Sequence, residues 1–262
     1  VKNHLANLIT FAIDYFRNLQ KKYGKGKERK TEIRPFDTIE ATKVVVRNLK
    51  LYVNREEGFV GTSLRKDEYV ADCSDIDDII VFTADGKMII TKVTEKSYIG
   101  KNIVHVGVFK KNDTRTVYNL VYRNGNDKIS YIKRFTVTGI IRDKEYDVVE
   151  PHKDSQILYF SANPNGEAEV VTVILRQAGS VKKLKWDINF ADILIKGRGS
   201  RGNIVTKYAI KRIELKEKGV STLKPRKIWY DPIVHRLNTE GRGELLGSFK
   251  GEDRLLLIGK DA

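Results

Sequence analysis

The stretch DIIVFTADGKMIITKV, residues 78–93, contains two runs of mostly apolar and β-branched residues on either side of the turn sequence ADG. Aspartate and glycine tolerate the backbone angles that a tight hairpin turn requires, and β-branched side chains favour strands. The stretch therefore predicts two antiparallel strands joined by a short turn. It decides the fold because units of the same kind recur along the chain.

Six such strand–turn–strand units follow one another, and an insertion with the sequence LKPRKIWYDPIVHRLNTEGRG, residues 223–243, separates the last two. The units begin near Val44, Ile79, Val117, Ile157, Ile193 and Leu255. Repeated hairpins without intervening helices favour a radial β architecture over a βαβ nucleotide-binding fold. We therefore predict an all-β fold, a six-bladed β-pinwheel, which is a propeller-like ring of hairpin blades. The last unit reaches the end of the sequence at its turn, so we expect an incomplete sixth blade.

Residues 1–41 differ in character from the repeats. Their apolar residues, spaced three and four apart, predict an N-terminal amphipathic helix. The stretch KKYGKGKERK, residues 21–30, contains two glycines that end a helix and a charge run typical of a solvated linker. We predict a helix and basic linker over 1–41 and the β-pinwheel over 42–262. Because the sequence begins with Val, we expect it to be part of a longer protein.

The charge is strongly unbalanced, with 49 Lys and Arg against 34 Asp and Glu, a net charge of +15. Such a field attracts polyanions, and nucleic acid is favoured over a membrane because no basic amphipathic helix or lipidation signal dominates. No apolar run is long enough to span a bilayer. The single cysteine and the lack of a secretion signal predict a cytoplasmic protein.

The glycine-rich stretch GRGSRGN, residues 197–203, matches the spacing G-x-G-x-x-G of a dinucleotide-binding loop. That motif requires a following helix, whereas NIVTKYAIKRI, residues 203–213, is β-branched and strand-like. We interpret the stretch as the hairpin turn of the fifth unit. A nucleotide-binding enzyme is a third possibility, which would require measurable nucleotide affinity.

The sequence carries no recognisable catalytic or metal-binding pattern. Its four histidines are scattered, and the acidic stretch DCSDIDD, residues 72–78, is interpreted as structural because acids precede other strands as well. We predict no catalytic residue and no metal site.

Basic residues recur at the tip or on the second strand of the units. In a ring of blades they would form a curved positive belt, which suits contacts to the backbone of bent duplex DNA. The predicted DNA contacts are Lys87, Lys133, Arg134, Arg198, Arg201, Lys207 and Arg212, with Lys25, Lys27 and Arg29 of the linker as further candidates. The alternative is a β-propeller-like scaffold that binds an acidic protein through a confined basic patch with exposed aromatic residues.

With these motifs in place, the chain resembles the C-terminal part of the A subunit of bacterial type IIA DNA topoisomerases, the family of gyrase and topoisomerase IV. Residues 21–33 resemble the end of its coiled-coil helix and the R-x-T-E-I signature that precedes this domain. The blade-like segments are GFVGTSL (58–64), DIIVFTADGKMIITKV (78–93), ISYIKRFTV (129–137) and NIVTKYAIKRI (203–213), and SYIGKNIVHVGV (97–108) resembles an inter-blade segment. Gyrase has a glycine-rich basic box after the first blade hairpin, whereas RKDEYVADCSD, residues 65–75, is acidic here. The resemblance is therefore closer to topoisomerase IV, and gyrase-type wrapping is not implied.

The resemblance implies a non-catalytic domain that binds and bends DNA and presents a segment for strand passage in relaxation and decatenation. The DNA-cleaving tyrosine of the family follows an arginine, and none of the 12 tyrosines here does. The resemblance thus places the cleavage core, with its Mg2+, upstream in the same polypeptide, and ATP on the B subunit of an A2B2 assembly. It implies no cofactor in this part and a role in chromosome segregation at the bacterial nucleoid.

Overall fold

The computed structural model describes residues 7–27, 48–65, 67–139, 141–177, 179, 181–233, 235–251 and 253–258. The chain divides into two compact units. The larger comprises residues 40–225 and 250–262, and the smaller comprises residues 1–39 and 226–249. The predicted domain boundary at residues 41 and 42 falls outside the described residues and stays a prediction.

The larger unit is all-β, as predicted, and its described residues contain one short 3-10 turn, Phe190–Asp192, as their helical element. Its strands are β1 (Leu49–Asn54), β2 (Phe59–Gly61), β3 (Glu68–Cys73), β4 (Asp78–Thr83), β5 (Lys87–Lys92), β6 (Ser97–Tyr98), β7 (Ile103–Phe109), β8 (Val117–Arg123), β9 (Ser130–Thr136), β10 (Glu145–Asp147), β11 (Gln156–Asn163), β12 (Val170–Leu175), β13 (Lys185–Asn189), β14 (Ile195–Gly197), β15 (Asn203–Thr206) and β16 (Ile210–Glu217).

These strands form four sheets. The first has the order β3-β1-β2-β6 and the second the order β10-β5-β4-β7. The third has the order β11-β8-β9, with β14 and β15 both paired to the free edge of β9, and the fourth is β13-β12-β16. All pairs are antiparallel except β14 with β9.

Three hydrophobic cores separate the four sheets, and they explain the continuous apolar run of β4. Ile79 and Val81 face the core between the first and second sheets, whereas Ile80 and Phe82 face the core between the second and third. Successive side chains of a strand point to opposite faces, so a strand buried on both faces needs no polar alternation. A third core, which contains Val121 and Val173, joins the third and fourth sheets.

The hairpins of the first three units are confirmed. In the second unit Ile80 pairs with Ile90 across the turn at Gly86, whose φ is +86°. The hairpins of the first and third units are β1–β2 and β8–β9.

The hairpins predicted for the fourth and fifth units do not form, so these two predictions are wrong. Strand β11 pairs with β8, while β12 lies between β13 and β16. Strands β14 and β15 pair with β9 and not with each other. Turn residues make the chain reverse, but burial selects the partner. The apolar strand β12 is paired along both edges, by β13 and β16. Pairing with the preceding strand β11 alone would have left one edge open.

The smaller unit contains a helix and a three-stranded sheet. Helix α1 (Leu8–Tyr23) lies where the sequence pattern predicts a helix. Strands β17 (Arg226–Asp231), β18 (Arg236–Asn238) and β19 (Glu244–Phe249) form a sheet with the order β18-β17-β19. The predicted insertion is therefore itself part of a sheet. Residues 253–258, where the sixth hairpin is predicted, form no strand.

Candidate nucleic-acid interface

The positive charge of the larger unit is concentrated in one segment. Residues 176–225 contain 13 Lys and Arg against 4 Asp and Glu, whereas residues 48–175 contain 18 against 19. Residues 48–175, which include the first two sheets and strands β8, β9 and β11 of the third, are therefore nearly neutral. The excess charge lies mainly on strands β13 and β16 of the fourth sheet and on the stretch between them, which includes the edge strands β14 and β15 of the third sheet.

Four cations of the first three sheets form ion pairs with nearby carboxylates. These pairs are Arg55–Glu68 at 2.6 Å, Lys87–Glu145 at 3.1 Å, Arg142–Asp78 at 2.9 Å and Lys128–Asp154 at 2.8 Å. The hydrogen bond from Lys87 to Glu145 raises the pKa of this lysine. Lys87, a predicted DNA contact, thus lies beside a carboxylate that offsets its charge.

Lys133 is buried, with 2% of its surface exposed, and the prediction that it contacts DNA is wrong. Its strand β9 lies in the middle of the third sheet and faces a core on each side. The ammonium group donates to the carbonyl oxygens of Val148, Arg198 at 2.6 Å and Ser200 at 3.0 Å. Burial lowers its pKa to about 8.

Arg134 is also buried, with 1% exposed, so its predicted DNA contact is wrong as well. Its guanidinium donates to the side-chain oxygen of Asn119 at 2.9 Å and to the carbonyl oxygens of Gly166 at 3.1 Å and Phe190 at 3.3 Å. Asn119 in turn donates to Glu169 at 2.8 Å. Arg134 therefore ties the third sheet to the segments before and after β12.

The loop of residues 197–202 carries Arg198 and Arg201, and the two guanidinium groups contact different parts of the larger unit: Arg198 contacts β10 of the second sheet and the segment after β9, and Arg201 contacts the turn between β8 and β9. Arg198 lies 4.5 Å from the centre of the Tyr146 ring and donates to the carbonyl of Gly139 at 3.2 Å. Arg201 pairs with Asp127 at 2.5 Å, although 56% of its side chain is exposed. Of the linker candidates, Lys25 and Lys27 are exposed, and Arg29 lies outside the described residues.

At one end of the fourth sheet, exposed cations converge from all three strands. Lys185 and Arg212 lie on either side of Ile174 in the strand register. Directly after β12, the Arg176 amide donates to the carbonyl of Ala209 at 2.9 Å, just before β16. We call this surface the basic end, and it comprises Arg176, Lys182, Lys183, Lys185, Lys207, Lys211 and Arg212, all exposed.

Carboxylates are absent from the sequence around the basic end. Residues 176–186 and 193–213 contain no Asp or Glu. The acids that adjoin these segments are Asp187, Asp192 and Glu214, and Asp187 and Glu214 lie opposite Thr172, two residues from Ile174 along β12. Arg212 pairs with Glu214 at 2.6 Å. The other six cations make no ion pair within 4 Å in the described part of the chain. Like charges on adjacent strands are destabilising, so an anion bound here would relieve their repulsion.

Two of the seven predicted contacts on the β units, Lys207 and Arg212, belong to the basic end. The prediction missed Arg176, Lys182, Lys183 and Lys185, which lie outside the predicted hairpins, and Lys211, which lies inside the fifth unit. The missing acids over residues 193–213 are the signal that would have located this surface. Tyr208, which is 48% exposed, lies among the lysines.

Two further properties of the described residues bear on function. They contain no group of three His, Cys, Asp or Glu side chains arranged to hold a metal ion. No helix among them has the length and apolar character to cross a bilayer.

Comparison with known proteins gives matches of three kinds. A family model named topoisomerase C-terminal domain, Bacteroidota, matches residues 50–218. The A subunit of DNA topoisomerase 4 from Borreliella burgdorferi is 28% identical over 217 residues, covering 82% of this chain and 33% of that protein. This chain thus spans about a third of the length of that relative. A crystal structure of the C-terminal domain of DNA topoisomerase IV aligns with a TM-score of 0.42 and 13% identity, over 70% of this chain and 64% of that one.

Proposed function

The chain belongs to the family of bacterial topoisomerase C-terminal domains, and from this premise we propose that it is a non-catalytic, duplex-DNA-binding domain of a topoisomerase IV-like A subunit. One observation carries the proposal. The basic end presents six exposed cations without an ion-pair partner among the described residues, and they lie in two segments, residues 176–186 and 193–213, that contain no Asp or Glu. A polyanion is the partner that such a surface attracts.

The contacts would go to the DNA backbone. Flexible, exposed lysines such as Lys182 and Lys183 neutralise phosphates without reading base edges, so affinity would come with little sequence specificity. Lys207 and Arg212 take part in the same contact. Lys87, Arg198 and Arg201 stay secondary candidates, because each already contacts another group of the protein.

We further propose the role of this domain in the parent protein. The stacked sheets would be blades of a β-pinwheel, which holds and bends the DNA segment that the cleavage core passes during relaxation and decatenation. The core would lie upstream in the same polypeptide, and a B subunit with ATP would complete an A2B2 assembly at the nucleoid in the cytoplasm. The Mg2+ ion would lie in that core.

A second function is supported by one specific feature of the basic end. The surface is confined, and Tyr208 is exposed within it. A confined basic patch with an aromatic side chain also suits an acidic protein.

Both functions are tested by fluorescence anisotropy with a labelled duplex of about 20 base pairs over a series of salt concentrations. For DNA binding, log K should fall linearly with log salt, with a slope of about −0.9 for each neutralised phosphate. An acidic peptide of equal charge should compete poorly. Affinity for the duplex that is independent of salt would contradict the proposal, and strong competition by the peptide would favour the acidic protein.

A further inference from the structure

We infer that the domain holds duplex DNA at a single short site, the basic end of the fourth sheet, and not along a continuous belt around its sheets. This inference rests on the proposed function of DNA binding. It names the surface and the length of DNA that the surface engages.

The charges of the first three sheets argue against a belt. Residues 48–175 are nearly neutral, and their ion pairs place a carboxylate next to several of the exposed cations. DNA that followed these sheets would approach Glu68, Glu145 and Asp154 as closely as their basic partners. Repulsion from these carboxylates would offset the gain from each cation.

The predicted belt of positive charge is interrupted at the third sheet. Lys133 and Arg134, the two cations expected there, point into the protein and are satisfied by its own oxygens. Arg201 is neutralised by Asp127 at 2.5 Å. Of these three predicted contacts, two are therefore buried and the third is paired with a carboxylate.

The size of the basic end sets the length of DNA it can hold. Neighbouring strands lie about 4.8 Å apart, so three strands and the loops at their ends span roughly 15 to 20 Å. Duplex DNA carries about one phosphate charge per 1.7 Å of its axis over both strands, about half of which face the protein, so the site would engage roughly five phosphates. This corresponds to about half a turn of duplex, roughly 5 or 6 base pairs, so a duplex of about 10 base pairs contains the whole site.

A duplex-length series on the 262-residue chain tests this footprint. The affinity per site should reach a plateau at about 10 to 15 base pairs, with a salt slope of about −4 to −5. If the affinity per site still increases for duplexes of about 60 base pairs, the inference is overturned, because longer DNA would then form further contacts with the protein.

Matched charge reversals test the location. Lys182, Lys183 and Lys185 changed to Glu should weaken binding about 100-fold at moderate salt. The control is the triple change of Lys92, Lys101 and Lys110 to Glu, three exposed lysines of the first two sheets without ion pairs among the described residues. It alters the net charge equally and should cost less than about threefold, because salt screens distant charges. Circular dichroism and thermal melting check that both variants fold.

The outcomes separate the inference from the function on which it rests. An equal or larger loss in the control overturns the single site and leaves DNA binding in place. The absence of salt-dependent binding at every duplex length overturns the proposed function itself.

Discussion

The ammonium nitrogen of Lys133 lies 2.6 Å from the carbonyl oxygen of Arg198, and the same group donates to the carbonyls of Val148 and Ser200. Three acceptors match the three N–H groups of a protonated lysine. Lys133 therefore fixes the loop of residues 197–202 to the third sheet. This arrangement gives the glycine-rich stretch a structural anchor in place of a phosphate.

Replacing Lys133 by Met should loosen that loop. Methionine fills much of the same space but leaves the carbonyls of Arg198 and Ser200 without their donor, and an unmade buried hydrogen bond costs about 1 to 3 kcal/mol. Trypsin should then cleave after Arg198 and Arg201 about tenfold faster, because the loop opens more often. Lys128→Met is the control, since this lysine is half exposed in its pair with Asp154. Equal cleavage of both variants would show that Lys133 does not hold the loop.

The depressed pKa of Lys133 predicts a pH dependence of stability. Its folded-state pKa of about 8 lies below the ordinary value of 10.5, so between these values the unfolded chain binds the extra proton. The stabilising contribution is then complete above pH 10.5 and is lost as the pH falls through 8. From about pH 7 to about pH 9.5 the free energy of unfolding of the wild type should rise by about 2 kcal/mol relative to Lys133→Met.

Urea unfolding of both proteins at several pH values measures this difference. The buried tyrosines Tyr118 and Tyr122 also affect stability in alkaline solution, because burial raises their pKa. The comparison therefore ends at about pH 9.5, below the ordinary tyrosine pKa of 10, where both tyrosines stay largely protonated. If the free energy of unfolding of the wild type relative to Lys133→Met falls as the pH rises, the three carbonyl groups stabilise the protonated form of Lys133 more than burial destabilises it.

Gly202 and Gly199 of this loop differ in the space around their backbone. Gly202 has a φ of +89°, and a Cβ there would lie 2.6 Å from the carbonyl oxygen of Ile132, whereas a Cβ at Gly199 would meet open space. Gly202→Ala should lower the free energy of unfolding by about 1 to 3 kcal/mol, and Gly199→Ala should change it by a few tenths. Urea unfolding checks both. Similar costs at the two positions would mean that the turn does not depend on the backbone of Gly202.

The sequence predicts the fold where local signals and tertiary pairing agree. The ADG turn at Gly86 joins two strands that do pair, and the apolar run before it is buried on both faces. The NPNG turn at Gly166 is an equally good local signal, yet it leads from one sheet to the next. Strand pairing depends on which apolar faces must be covered, and this information lies far apart in the chain.

In the candidate site, too, local sequence signals predict some features, while others depend on residues that are distant in the sequence. Lys133 and Arg134 follow one another on a strand, where one of two neighbouring residues is expected to face solvent. Both are buried because oxygen acceptors come from residues 119, 148, 166, 190 and 198. No local pattern reveals such distant partners. The basic end, in contrast, follows from a local excess of charge that the sequence displays directly.

Lys207 and Arg201 are both predicted DNA contacts, but their surroundings in the structure differ. Lys207 lies in the basic end without an ion pair among the described residues, whereas the charge of Arg201 is offset by Asp127 at 2.5 Å and by Glu150 at 3.7 Å. If DNA binds at the basic end, Lys207→Glu should weaken binding and reduce the magnitude of the salt slope by about one. Arg201→Glu should leave the slope nearly unchanged, because a cation already neutralised by carboxylates releases few counterions from DNA. Anisotropy titrations at several salt concentrations measure both slopes. A larger change in slope for Arg201→Glu than for Lys207→Glu would move the DNA contact to the third sheet, since only a phosphate in place of Asp127 could give Arg201 that effect.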